Sequence, residues 1–174
     1  GRSKCIVAIS TADLHPDVTV MKLFIPKETQ SGETRVALVP DSARKLIDLG
    51  LAVNVEKNAG ATSEYWDVDY ENAGAATVTD REEAFRSAEV VLRVRKPDLD
   101  EVEQMQSGAL HISFLDPFQE IETIRAFARA GVSAVSMEMM RRTTLAQKMD
   151  ALSSQANLAG YAAVITAAER LHRI

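Results

Sequence analysis

The sequence predicts an α/β fold with a mainly parallel sheet and helices on both faces. Three observations carry this. An amphipathic stretch, a glycine and a short β-branched run recur in that order along the chain. The strand runs are apolar or nearly so, as expected of strands covered on both sides. The composition, with 46% apolar and 26% charged residues and only 8 Gly and 5 Pro in 174 residues, is that of an ordinary globular domain large enough to support its own core.

The elements follow in chain order. Lys22 to Ile25 reads as the first strand. The amphipathic stretch Ser42 to Leu49, Gly50 and the strand Ala52 to Val55 form the first repeat of the pattern; Val68 to Ala73, Gly74 and Ala76 to Val78 form the second. A short helix from Asp80 to Ser87, with Asp80 as its N-cap, leads to a strand over Val90 to Val94. Leu99 to Ser107, Gly108 and Leu110 to Phe114 come next, then Phe118 to Ala130, Gly131 and Val132 to Val135. Each glycine suits the position just past a helix, where positive φ excludes a β-carbon. Helix and strand in alternation imply parallel pairing.

The longest helical pattern comes last, from Lys148 to Leu171, with Ala156, Gly160, Ala163 and Ala167 along one face. It reads as a connecting helix towards a further domain. The organisation expected is therefore an extension over residues 1–20, an N-terminal α/β domain over 21–147 and a connecting helix over 148–174. No window approaches the roughly 20 apolar residues of a membrane span. The formal charge of −5 offers no basic footprint for nucleic acid. The single Cys5 excludes a disulfide framework, and with no secretory signal legible the expected location is cytoplasmic.

In parallel α/β sheets ligands sit beyond the carboxyl ends of the strands. The loops to watch are Pro26 to Val36, Asn58 to Trp66, Arg95 to Asp98, Leu115 to Phe118 and Ser136 to Gln147. No Gly-x-Gly occurs anywhere in the chain, so neither a dinucleotide fingerprint nor a P-loop is available to hold a pyrophosphate. His15, His111 and His172 lie far apart without Cys or His partners at ligand spacing, and a metal site is not expected. His111, in mid-strand, reads as a core histidine. Two polar segments stand out: Pro26 to Pro40, containing Arg35, and Met137 to Gln155, running into the last helix. Their plainest readings are a solvated loop with Arg35 in a surface ion pair, and a helix entry with Asp150 as a first-turn acid.

These segments also carry a resemblance. Pro26-Lys27-Glu28, Arg35-Val36-Ala37-Leu38-Val39-Pro40, Gly60-Ala61, Val94-Arg95-Lys96-Pro97, Ala146-Gln147, Asp150 to Gln155 and Asn157 to Tyr161 together resemble the N-terminal domain shared by alanine dehydrogenase and the NAD-binding α-subunit of proton-translocating transhydrogenase. The resemblance spans about residues 21–174 and implies a Rossmann-like or flavodoxin-like sheet. Within the family, an alanine dehydrogenase would use an arginine, a lysine and a histidine. Arg35 matches the arginine, Arg95 stands where the lysine falls with Lys96 one place later, and Asp116 stands in place of the histidine. Losing that imidazole removes the natural proton carrier of oxidative deamination.

The transhydrogenase side of the family is favoured accordingly. The resemblance implies that Arg142, Gln147 and Asp150 contact the nicotinamide end of NAD(H), with Ser153 adding a hydrogen bond. Leu145 and Lys148 depart from the family loop, which alters local charge only. The implied setting is hydride transfer to NADP(H) held by a partner domain, with membrane-embedded partner subunits, a homodimer, and a location peripheral to the cytoplasmic membrane. Two further readings stay open: a fragment of an alanine or saccharopine-type amino-acid dehydrogenase, and a non-catalytic interaction or dimerisation module.

Overall fold

A computed structural model of the chain describes residues 20–141, 143–144 and 146–171. Cys5, His15, Arg142, Leu145 and His172 lie outside the described residues, as does all of the expected extension but Val20. Six parallel strands form one sheet in the order β3-β2-β1-β4-β5-β6. They are β1 (Lys22–Ile25), β2 (Ala52–Glu56), β3 (Ala76–Val78), β4 (Val90–Leu92), β5 (Leu110–Ser113) and β6 (Ser133–Ser136). The helices are α1 (Pro40–Asp48), α2 (Asp67–Asn72), α3 (Arg81–Ser87), α4 (Leu99–Gln104), α5 (Ile121–Ala130) and α6 (Ala151–Arg170).

Alternation along β1 shows how the sheet is sandwiched. Leu23 and Ile25 point into one core with Val53, Val55, Ala43 of α1 and Tyr70 of α2. Phe24 points the other way, into a second core with Phe85 of α3, Val102 of α4 and Phe127 of α5. Within it the Phe24 and Phe85 rings meet edge to face at 5.1 Å. A one-residue slip of β1 would exchange these sets, so its register is fixed by packing.

The glycine punctuation holds: Gly50, Gly74, Gly108 and Gly131 all have positive φ. Gly131 is the most constrained. It caps α5 at φ 68°, and a β-carbon there would come within 2.6 Å of Ser107 Oγ. Asp80 caps α3 as expected, accepting the Glu83 N–H at 3.0 Å.

Several boundaries differ from the sequence pattern; α4, for example, ends at Gln104 and not Ser107, and three others bear on the site. The strand expected to reach Val94 is regular only to Leu92, although hydrogen bonds from Arg93 N to the Ile112 carbonyl and from Phe114 N to the Val94 carbonyl continue the pairing with β5. The helix expected from Phe118 begins at Ile121, since Asp116, at φ 48°, starts a turn whose carbonyl accepts the N–H groups of Gln119 and Glu120. The last helix begins at Ala151, after a 3-10 turn over Ala146–Met149, because Asp150 caps it. Residues 152–170 of α6 are exposed throughout. Among the described residues no helix is long and apolar enough to cross a membrane.

Candidate functional site

The strand order reverses at β1, which pairs with β2 on one side and β4 on the other. A cleft of about 410 Å³ opens there beyond the carboxyl ends of the strands. The loop after β1 gives it Gln30 and Arg35, the loop after β4 gives Arg95 and Lys96, and the loop after β5 gives Phe114, Leu115, Asp116 and Glu120. Glu138 enters from the segment after β6, and Leu152 and Gln155 from the start of α6. Four of the five loops expected to gather do so. The fifth, Asn58 to Trp66, lines a separate groove through Glu64 and Tyr65.

The three cations of the cleft are matched by carboxylates of the same chain. Glu33 takes Arg35 in a bidentate pair, Nε to Oε1 at 2.7 Å and Nη2 to Oε2 at 2.6 Å. The same carboxylate accepts Arg95 Nε at 2.8 Å. With its side chain only 4% exposed and two guanidinium groups on it, Glu33 is held at a pKa of about 2, and Arg35 is pushed up in return. Lys96 pairs with Glu120 at 2.5 Å. Glu138 Oε1 accepts the backbone N–H groups of Leu115 (2.8 Å) and Asp116, fixing the turn after β5. Arg35 is thus an ion-paired residue as its plainest reading had it, but it lines the cleft, and its Nη1 reaches Gln155 of α6 at 3.0 Å.

Beneath these loops lies a buried chain of charges. Arg93, 3% exposed, stands between Glu28 (3.7 Å) and Glu101, and Arg81 joins Glu101 to Glu56. Burial alone would raise the pKa of Glu101, but Arg93 and Arg81 outweigh it and the net shift is downward. Glu28 also accepts the N–H groups of Val94 at 2.6 Å and Arg95 at 3.3 Å, while Glu56 accepts that of Lys27 at 2.8 Å. The network ties the loop after β1 to the loop after β4. Glu33 and Glu138 carry no motif in the sequence, and Glu28 enters there only as part of Pro26-Lys27-Glu28. The one signal available was an acidic residue a few places beyond a strand end in a loop already marked for attention.

Of the four residues predicted to contact the cofactor, three fall in one place. Gln147 and Asp150 line a recess of about 280 Å³ with Thr143 and Thr144. Ser153 joins them through Asp150, donating its N–H to Oδ1 at 3.0 Å and its hydroxyl to Oδ2 at 2.6 Å. Arg142 lies outside the described residues. His111 is fully buried in β5, its ring 5.0 Å from Phe127 and Nε2 3.0 Å from Ser113 Oγ. Desolvation first, and Arg93 second, depress its pKa to about 3, so it is a neutral core residue. Asp116 is exposed at the cleft. Among the described residues no three His, Cys, Asp or Glu side chains could hold a metal ion.

These features define a class: a Rossmann-like parallel α/β domain with a polar cleft at its switch point and no glycine loop for phosphate. Residues 24–159 match the family described as alanine dehydrogenase/PNT, N-terminal domain, and the chain belongs to that family. It is 40% identical over 153 residues to the NAD(P) transhydrogenase subunit alpha of Cereibacter sphaeroides, a match covering 88% of this chain and 29% of that one. A solved structure, the transhydrogenase from Sinorhizobium meliloti, superposes with a TM-score of 0.82 at 46% identity, covering 87% of this chain and 43% of its own. The alanine dehydrogenase of Halomonas elongata is 30% identical over 153 residues, with 88% and 41% covered. The chain therefore spans less than half the length of these relatives.

Proposed function

We propose that this chain supplies the nicotinamide-facing part of a transhydrogenase α-subunit, in which hydride passes between NAD(H) and NADP(H). The observation that carries the reading is the gathering of Gln147, Asp150 and Ser153 at the start of α6. The polar groups there fit a carboxamide. The side chain of Gln147 is exposed with its amide unengaged, so it has both a donor and an acceptor to offer. Ser153, whose proton goes to Asp150, keeps its oxygen lone pairs as acceptors. By the family resemblance Arg142 would add a cation to the groups that meet the nicotinamide end.

The bound dinucleotide supplies the reactive hydride; this chain's residues hold a ring and fix the rotation of its carboxamide. Direct hydride transfer needs no proton moved at the reacting carbon. Alignment at roughly 3 to 3.5 Å is the main requirement on the protein. Pyrophosphate is not gripped here. The β1–α1 loop carries Glu28 and Glu33 where a phosphate cradle would have glycines, and α1 opens with Pro40, which has no N–H to offer. The site is completed by a further domain, with NADP(H) on a partner, proton movement through membrane-embedded subunits, a homodimeric assembly and a place at the cytoplasmic face of the membrane.

Substituting Gln147→Leu in the complete enzyme tests the reading. Hydride transfer from NADH to an NADP⁺ analogue is expected to fall by about 10- to 100-fold with the melting temperature unchanged, since an exposed side chain is removed and alignment is lost. Parental rates would favour a non-catalytic interaction module instead.

A further inference from the structure

We propose that Glu33 is a positioning residue for hydride transfer. By clamping Arg35 it holds the guanidinium against Gln155, and so fixes the opening turns of α6 that carry Asp150 and Ser153. The inference rests on the function proposed above.

Among the described residues, packing does little to hold α6. Its side chains from residue 152 onward are exposed, and Gly160 has no neighbouring atom within 4 Å of where a β-carbon would stand. A helix with no buried face depends on its end contacts for orientation. Leu152 and Gln155 border the cleft, and the Arg35–Gln155 hydrogen bond, 3.0 Å long, ties the helix to the loop after β1. Gln155 lies two residues beyond Ser153, about 3 Å further along the axis at 1.5 Å per residue. Movement of Gln155 therefore carries Ser153 with it.

Arg35 is fixed from every side but that one. Its backbone N–H and Nε donate to Glu33 Oε1 at 3.0 and 2.7 Å, and Nη2 donates to Oε2 at 2.6 Å. That leaves Nη1 for Gln155. The carbonyl of Thr34, between the two, accepts the hydroxyls of Thr62 (2.9 Å) and Ser63 (2.6 Å) from the loop after β2. Glu33 itself sits on a turn closed by its N–H to the Gln30 carbonyl at 3.1 Å, with Gly32 at φ 81°. Two loops thus converge to hold one guanidinium nitrogen in place. A bidentate pair restricts both the position and the plane of the guanidinium, which a lysine in its place could not reproduce.

The test compares Glu33→Gln, Gln155→Leu and the double variant in the complete enzyme, with Gln147→Leu alongside. Each single change is expected to lower kcat about tenfold while the KM for NADH moves less than about threefold, because alignment and not affinity is lost. The double variant should fall no further than either single one, since both break the same link. Amide exchange across residues 147–155 should quicken in all three. Gln155 is exposed, so its variant is expected to fold whatever Glu33→Gln does to stability. Parental kcat and exchange in Gln155→Leu, with Gln147→Leu impaired, would overturn the proposal alone, as would additive losses in the double variant. Silence at Gln147 as well would remove the functional reading and the proposal with it.

Discussion

His111 gives a prediction whose size follows from its surroundings. The folded chain keeps its imidazole neutral, with the pKa lowered from 6.5 to about 3 by burial and by Arg93, whereas the unfolded chain protonates it near 6.5. A folded-state pKa that is depressed contributes stability above the unfolded value, and that contribution is lost as pH falls from 6.5 towards 3. At about pH 5 the folded form is still neutral, so the loss depends on the unfolded pKa alone: roughly 1.5 pH units at about 1.4 kcal/mol each, or about 2 kcal/mol relative to pH 8. Urea denaturation of this chain at several pH values between about 8 and 5 would read it directly. His111→Leu, which removes the titrating group from its place between Phe127 and Ser113, should flatten the profile by that amount while other titrating groups cancel between the two proteins. Equal slopes for the two would refute the assignment of His111 as a neutral core residue and reopen a proton-carrying role for it.

Two predictions concern the framework beneath the cleft. Arg93→Met should destabilise by about 3 to 5 kcal/mol in chemical denaturation, because Glu28 and Glu101 are left buried without their shared cation. Tyr70→Phe removes a buried hydroxyl that donates to the Leu38 carbonyl at 2.7 Å, and should cost about 1 to 2 kcal/mol by the same measurement without altering the sheet.

Much of the fold was legible because it rests on local rules. A glycine past each amphipathic stretch, and an Asp at the start of α3, act through neighbours within a turn, and short apolar runs between them could only be covered strands. The capping role of Asp150 is harder to read from sequence. Its partner Ser153 is three residues away, the same spacing by which Asp80 captures Glu83, yet a first-turn acid and a capping acid look alike until the backbone angle is known. The loops that form the cleft could be named from the strand ends. Their internal pairings could not. Glu28 meets Val94 across 66 residues, Arg35 meets Gln155 across 120, and Arg95 meets Glu33 across 62. Nothing in the spacing of an acidic residue indicates which of 20 Lys and Arg side chains the fold will bring to it. The pairing of Arg93 with Glu28 and Glu101 belongs to the same class.

The cleft's charges also bear on which chemistry the domain suits. A dehydrogenase acting on an amino acid must bind a substrate carboxylate and accept a proton. Here Glu33 already partly neutralises both guanidinium groups, and its depressed pKa keeps it charged throughout the physiological range, so a substrate carboxylate would have to share them with it. Among the described residues no histidine or cysteine borders the cleft, and His111 is buried within β5 in its neutral form. Hydride exchange between two dinucleotides makes neither demand. Under the proposed function the demand is for rings held rigidly in register, and the pairing of Arg35 and Arg95 with Glu33 and of Lys96 with Glu120 holds the loops of the cleft in place.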